Sequence, residues 1–254
     1  MNVKQYKLNY QLSIFDMDGV ITETRNIHEK AWKKSFDAFI EHWNTENKIL
    51  MDKFILPDDY ESYINGRTRK NGVITFLKSR NIQLPEGEKD DTTLDTVNGI
   101  CNRKNKLFLE TLKNEGIKLF DDSIRLIKIL KENDILIGLA TSSKNSSHIL
   151  RKLNIYNLFD FILDGNDIDT LGLNSKPEPD IFLRIAECLN IKFSKCLVFE
   201  DSYEALHMVN KHKPYKAIGL DRSEGMIMKK KFFPLKVFSN LDDAVLLKEE
   251  LKIL

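Results

Sequence analysis

Short apolar runs recur along the chain, each ending in a polar or glycine-bearing turn. The first, Leu12-Ser13-Ile14-Phe15, runs into Asp16-Met17-Asp18-Gly19-Val20. Such a run reads as a buried strand, although its length alone also admits a core helix. Gly19 favours the strand, because the chain must turn there. Further runs of the same kind are Ile135–Ala140, Phe159–Leu163, Cys196–Phe199, Lys216–Leu220 and Leu235–Phe238. Between them the apolar spacing changes to that of amphipathic helices over Ser123–Glu132, Asn145–Lys152, Pro179–Leu189, Ser202–Asn210 and Leu241–Leu251. Pro179 sits in a first helical turn, where proline is tolerated.

From Asn26 to about Glu115 the pattern is helical with no strand. Asn26–His42 carries Ile27, Ala31, Phe36 and Phe39 among charges. Asn71–Arg80 and Thr96–Asn114 follow, the last with Leu107, Leu109 and Leu112 to bury. The stretch around Leu56-Pro57-Asp58-Asp59 reads as a loop. So does Gln83–Thr93, where Pro85 and Gly87 stand among acidic residues.

Strands alternating with helices predict an α/β fold, a Rossmann-like parallel sheet covered on both faces and wound right-handed. The strand at Ile14 must join that sheet across a long helical stretch. The predicted organisation is therefore a discontinuous core, residues 1–25 and 116–254, with an inserted all-helical cap, residues 26–115. No internal repeat is visible. Open parallel sheets bind ligands beyond the carboxyl ends of their strands, so the site is expected there.

Composition narrows the possible partners. The 254 residues are 42% hydrophobic and 30% charged, which suits a sizeable core with a solvated surface. Lys and Arg number 39 against 38 Asp and Glu, so no global field draws the chain to nucleic acid or membrane. Lys229-Lys230-Lys231 reads as solvated surface, and Trp32 and Trp43 as cap core. Cys101, Cys188 and Cys196 are scattered without zinc or disulfide spacing, which fits a reducing compartment. MNVKQYKLNYQ has no signal-like apolar stretch, and no membrane-length run occurs. The expectation is a cytoplasmic monomer with no nucleic-acid or membrane partner.

The strand ends carry the chemistry. In a strand, residues two apart point the same way, so Asp16 and Asp18 are expected side by side, repelling unless a cation or proton intervenes. An acidic Asp-Gly turn without function is the alternative. Thr141-Ser142-Ser143-Lys144-Asn145 opens a helix after Ala140 and suits an anion, or is a plain helix cap. Glu200-Asp201-Ser202 follows another strand, and Ser175-Lys176-Pro177 precedes a helix. Each is weak alone, but together they set acids, hydroxyls and a lysine along one sheet edge.

DMDGV, TSSKN, SKPEPDIF and FEDS resemble the four motifs of the haloacid dehalogenase-like superfamily. DGVITET with His28, Gly66-Arg67-Thr68-Arg69 and Arg103-Lys104-Asn105 resemble its β-phosphoglucomutase family. The resemblance implies that Asp16 is a nucleophile forming an aspartyl-phosphate and Asp18 the general acid/base. Thr141 and Lys176 then hold the transferring phosphate, with the Ser142 main-chain N–H. The implied cofactor is Mg2+, bound by Asp16, the Asp18 main-chain carbonyl and Asp201, with Glu200 nearby. No His or Cys converges for zinc.

A second phosphate cage is implied from Ser143, Lys144, Asn145 and Arg69, with Arg67 as a competitor. Lys104 and Asn105 would contact substrate, while Thr24 and His28 would couple the cap to Asp18. Ala205 stands where the superfamily commonly has glycine. The implied reaction converts β-D-glucose 1-phosphate to glucose 6-phosphate through glucose 1,6-bisphosphate, an isomerisation. A magnesium-dependent sugar-phosphate phosphatase is the alternative. A sensor that binds sugar phosphate without turnover would lack the nucleophile or the acid, and both are present.

Overall fold

The computed structural model describes residues 9–222 and 237–241. The expected helix over 241–251 beyond its first residue, the start of the last expected strand and Lys229–Lys231 fall outside them. In chain order the elements are β1 (Leu12–Phe15), α1 (Arg25–Asn47), α2 (Asp58–Tyr63), α3 (Arg69–Ser79) and α4 (Val97–Glu115). There follow α5 (Asp121–Glu132), β2 (Leu136–Ala140), α6 (Ser146–Lys152), β3 (Phe161–Leu163), α7 (Gly165–Leu171) and α8 (Asp180–Cys188). The described part ends with β4 (Cys196–Glu200), α9 (Tyr203–Lys211), β5 (Lys216–Leu220) and β6 (Val237–Phe238).

The chain divides into two compact units, Thr24–Lys118 and the residues on either side, up to Glu23 and from Leu119. In the outer unit the strands pair in the order β3-β2-β1-β4-β5-β6, all parallel. β1 is central, with Ile14 opposite both Gly138 and Val198. Every residue of β1 and β4 is buried, which is why both read as mostly apolar runs, broken by Ser13 in β1 and ended by Glu200 in β4, with no regular alternation. Ile181, Phe182 and Ile185 of α8 join one buried cluster with Leu206 and Val209 of α9, Ile14 and Val198. Successive strands step outward from β1 first to β2 and β3, then to β4 and β5. The order reverses at β1, and that reversal opens a crevice at the carboxyl ends.

The inner unit is helical around an aromatic core of Trp32, Phe36, Phe39, Phe54 and Phe76. The Phe36 and Phe76 rings stand 4.1 Å apart. Trp32 is buried and stacks on Phe36, and Trp43 packs against the same cluster. On α4 the buried stripe is Val97, Ile100, Cys101, Lys104, Phe108 and Leu112. Leu109, expected to be buried, is exposed because it lies one residue off that 3.6-residue stripe.

One short helix replaces an expected loop, and another forms where no element was expected. α2 begins after Pro57, with Asp58 and Asp59 in its first turn, and Asp59 accepts the Ile55 N–H at 2.8 Å. α7 begins in a capping box made by Asp164 and Asp167 and ends at Gly172. The three cysteines form no disulfide. Among the described residues no helix is long and apolar enough to cross a membrane.

Candidate active site

The chain leaves β1 into a tight turn that fixes the first acids. The Asp16 N–H donates to the Phe199 carbonyl of β4 at 2.9 Å. The Met17 carbonyl then accepts the N–H groups of Val20, Ile21 and Thr22 at 3.3, 2.8 and 3.0 Å, and the Thr22 hydroxyl at 3.2 Å. Gly19 has φ +85°, and a Cβ there would lie 2.3 Å from Asp201 Oδ2. Glycine is thus demanded twice, by the left-handed backbone and by the approaching carboxylate.

The strand ends at Phe15, so the alternation expected to set Asp16 and Asp18 side by side does not reach them. The turn places them instead: Asp16 is buried and Asp18 half-buried. They remain close enough for the Asp18 charge to raise the Asp16 carboxyl.

Lys176, in the segment leading to α8, is fully buried. Its Nζ donates to Asp16 Oδ1 at 2.5 Å, Glu200 Oε2 at 2.8 Å and the Ala140 carbonyl at 2.9 Å. An ammonium has three donors, so these acceptors fix its orientation completely. The Phe182 ring lies 4.8 Å from Nζ. Burial would lower the Lys176 ammonium, but Asp16 and Glu200 outweigh it and hold it above its usual range. Burial raises the Asp16 carboxyl to about 8; Lys176 pulls it down, while Glu200 and Asp18 push it up. Glu200 is raised by burial as well.

Glu200 is the last residue of β4 and accepts the Ser202 N–H at 2.9 Å through its other oxygen. Asp201 completes a buried group in which carboxylate oxygens of Asp16, Glu200 and Asp201 lie within 4.8 Å of one another. The acids outnumber the lysine that pairs with two of them. A set of hard oxygen donors with excess negative charge suits a divalent cation such as Mg2+.

The hydroxyl turn follows directly on the Ala140 carbonyl that Lys176 holds. Thr141 is buried, and its Oγ1 accepts the Ser143 N–H at 3.1 Å; Ser143 Oγ accepts the Asn145 N–H at 3.3 Å. Ser142 and Asn145 are half-buried, whereas Lys144 is exposed and forms an ion pair with Asp169. The structure thus gathers Asp16, Lys176, Glu200 and Asp201, with Asp18 and Thr141 in the adjoining turns.

In the helical unit the expected residues fall into two pairs. Arg69, the first residue of α3, donates through Nη2 to Asn105 Oδ1 at 2.7 Å. Burial lowers its guanidinium from the ordinary value. Lys104 is buried with Nζ 2.9 Å from His28 Nδ1, and lies 5.1 Å from the Trp32 ring and 4.7 Å from that of Phe108. Thr24 precedes α1 fully buried, and its carbonyl accepts the His28 N–H at 2.9 Å. Sequence reasoning missed the Ala140 carbonyl as a holder of Lys176, since a main-chain acceptor leaves no mark on residue type. It also missed Asp169, which lies on the unforeseen α7.

The family model for haloacid dehalogenase-like hydrolases matches residues 10–209. A β-phosphoglucomutase of Mycobacterium bovis is 34% identical over 190 residues, 74% of this chain and 72% of that one. A phosphorylated carbohydrates phosphatase of Thermotoga maritima is 24% identical over 84% of each chain. Among solved structures, β-phosphoglucomutase from Clostridium difficile is similar with TM-score 0.71 and 25% identity, covering 96% of this chain and 97% of that one. The chain belongs to the haloacid dehalogenase-like superfamily and, within it, to the β-phosphoglucomutase family.

Proposed function

We propose that the protein is a magnesium-dependent β-phosphoglucomutase that converts β-D-glucose 1-phosphate to glucose 6-phosphate. The observation that carries this reading is the buried Asp16–Lys176–Glu200 cluster at the carboxyl ends of β1 and β4, with Asp18 one turn away. The 34% identity to a β-phosphoglucomutase over most of the chain supports the choice of reaction.

A carboxylate oxygen of Asp16 attacks phosphorus, the bond from phosphorus to the sugar oxygen breaks, and the Asp18 carboxyl gives that oxygen its proton. In the return step a sugar hydroxyl loses its proton to Asp18 as it attacks the aspartyl-phosphate, which frees Asp16. Glucose 1,6-bisphosphate connects the two half-reactions, because transfer to one end of the sugar precedes removal from the other. Lys176 and the Thr141 hydroxyl hold the oxygens of the transferring phosphate, with the Ser142 main-chain N–H. Arg69 serves the phosphate that is not being transferred, with Ser143, Lys144 and Asn145, since a guanidinium fork grips phosphate bidentately. Lys104 and Asn105 contact the sugar phosphate, and Thr24 with His28 links the helical insertion to Asp18.

Asp16, Asp201 and the Asp18 main-chain carbonyl would hold Mg2+, with Glu200 beside them. The fit rests on the all-oxygen donor set and its unbalanced buried charge. When bound, the ion supplies charge neutralisation between Asp16 and the incoming phosphate.

Phosphorus NMR of β-D-glucose 1-phosphate with enzyme, magnesium and a trace of bisphosphate tests the proposal. Glucose 6-phosphate should appear with little inorganic phosphate. Steady phosphate release without isomer would overturn the mutase reading in favour of a sugar-phosphate phosphatase.

A further inference from the structure

A buried clamp at the start of α5 holds the turn that carries Asp18. Ser123, fully buried, donates its hydroxyl proton to the Val20 carbonyl at 2.6 Å. The direction of that bond is fixed by a neighbour. Arg222 Nη2 lies 3.0 Å from the same hydroxyl oxygen, and a guanidinium can only donate. The serine oxygen therefore accepts from Arg222 and directs its own proton to Val20.

Asp122 holds Arg222 through two bonds, Nη1 to Oδ2 at 2.5 Å and Nη2 to Oδ1 at 3.1 Å. The Phe120 ring lies 4.2 Å from the guanidinium carbon. Asp122 also accepts the N–H groups of Ser123 at 2.9 Å and Leu241 at 2.6 Å.

One residue along the turn, the Ile21 carbonyl accepts the Phe120 N–H at 2.9 Å. The consecutive carbonyls of Val20 and Ile21 thus both end on the start of α5. The Met17 carbonyl, at the other end of the turn, is bonded within it. Asp18 and Gly19 lie between these anchors.

We infer that Ser123 and Arg222 are positioning residues for Asp18, fixing the turn so that its carboxyl meets the leaving oxygen. This rests on the acid/base role proposed above for Asp18. The clamp matters where the leaving group needs a proton and not where it departs as a stable anion.

Two substrates separate those cases. From β-D-glucose 1-phosphate the sugar leaves phosphorus as an alkoxide that must be protonated, whereas acetyl phosphate releases acetate, which needs no proton. For Ser123→Ala, kcat on the sugar phosphate should fall about tenfold or more, with KM within about twofold, whereas the single-turnover rate of acetate release as acetyl phosphate phosphorylates Asp16 should stay within about threefold. Arg222→Lys keeps a cation beside Asp122 but loses the fork that orients the serine. It should show the same selectivity with a smaller loss, and it decides the matter alone if Ser123→Ala does not fold.

Equal losses on the two substrates, or none in a folded variant, overturn the clamp. Asp18→Asn, run alongside, separates the two levels of the argument. If it damages both substrates alike, the acid assignment fails and takes the clamp with it. If it is selective while the clamp variants are not, only the clamp fails.

Discussion

Gly19→Ala separates backbone strain from damage to the acidic cluster. At φ +85° an alanine pays for a left-handed backbone, about 1–2 kcal/mol. For a chain of this length that lowers Tm by about 2–8 °C. The new Cβ would also stand 2.3 Å from Asp201 Oδ2, where ordinary contact begins at 3.4 Å. The carboxylate must therefore retreat by about 1 Å, a displacement that costs on the order of 100-fold in rate when it falls on reacting groups.

Gly172→Ala is the matched control, in the left-handed region with φ +63° and nothing within 4 Å of the added methyl. Thermal unfolding and kcat at saturating sugar phosphate and magnesium would be measured for both. The two should lose similar Tm, and only Gly19→Ala should lose about 100-fold in kcat and need more magnesium for half-activity. A folded Gly19→Ala enzyme within about threefold of Gly172→Ala in kcat and magnesium requirement would refute the claim that Asp201 belongs to the working site.

Lys176→Met leaves Asp16 and Glu200 buried without their cation. It should cost about 3–5 kcal/mol by urea unfolding near neutrality. Losing the ammonium raises the Asp16 carboxyl further, so the folded variant holds protons that the unfolded chain releases. Its stability should then fall as pH rises, and a flat profile would count against this. Ser13, fully buried in β1, has a hydroxyl with no hydrogen-bond partner among the described residues. Ser13→Ala should raise stability by up to about 1 kcal/mol, and a lowered urea midpoint would contradict that. For Asp122, burial raises the carboxyl but Arg222 and the Leu241 and Ser123 N–H groups outweigh it, leaving it below its usual value. That stabilisation is full above the unfolded pKa of about 3.9 and is lost as pH falls through the folded one. The stability gap between wild type and Asp122→Asn should narrow in acid, and a gap constant with pH would refute the assignment.

The sheet was legible because its strands are buried on both faces. Cys196–Phe199 stands out as an unbroken apolar run and Ala217–Leu220 as a small and apolar one, and β4 and β5 form there. α7 was not, since Gly165–Leu171 offers Ile168 and Leu171 as its apolar residues and no helical stripe. Its signal was Asp164 with Asp167 three residues later, a capping pair easily read as a polar loop. At the site, residue types at strand ends pointed to Asp16, Lys176, Glu200 and Asp201. They said nothing of the Ala140 and Val20 carbonyls, because main-chain acceptors are set by tertiary packing. The Asp122–Arg222 pair was equally hidden, its members being far apart in sequence and joined only by the fold.

Thr22 forms an antiparallel bridge with Leu119, just outside the residues where the helical unit begins and ends. The sheet-bearing unit thus closes its own seam, and Thr24–Lys118 is topologically a loop hung from a stitched pair. Closure entropy grows only with the logarithm of loop length, about 0.6 kcal/mol per doubling. Exchanging the insertion for a longer or shorter one therefore changes little in the stability of the frame around the acids. Evolution, or an engineer, can exchange the insertion while the frame that holds the acids stays in place.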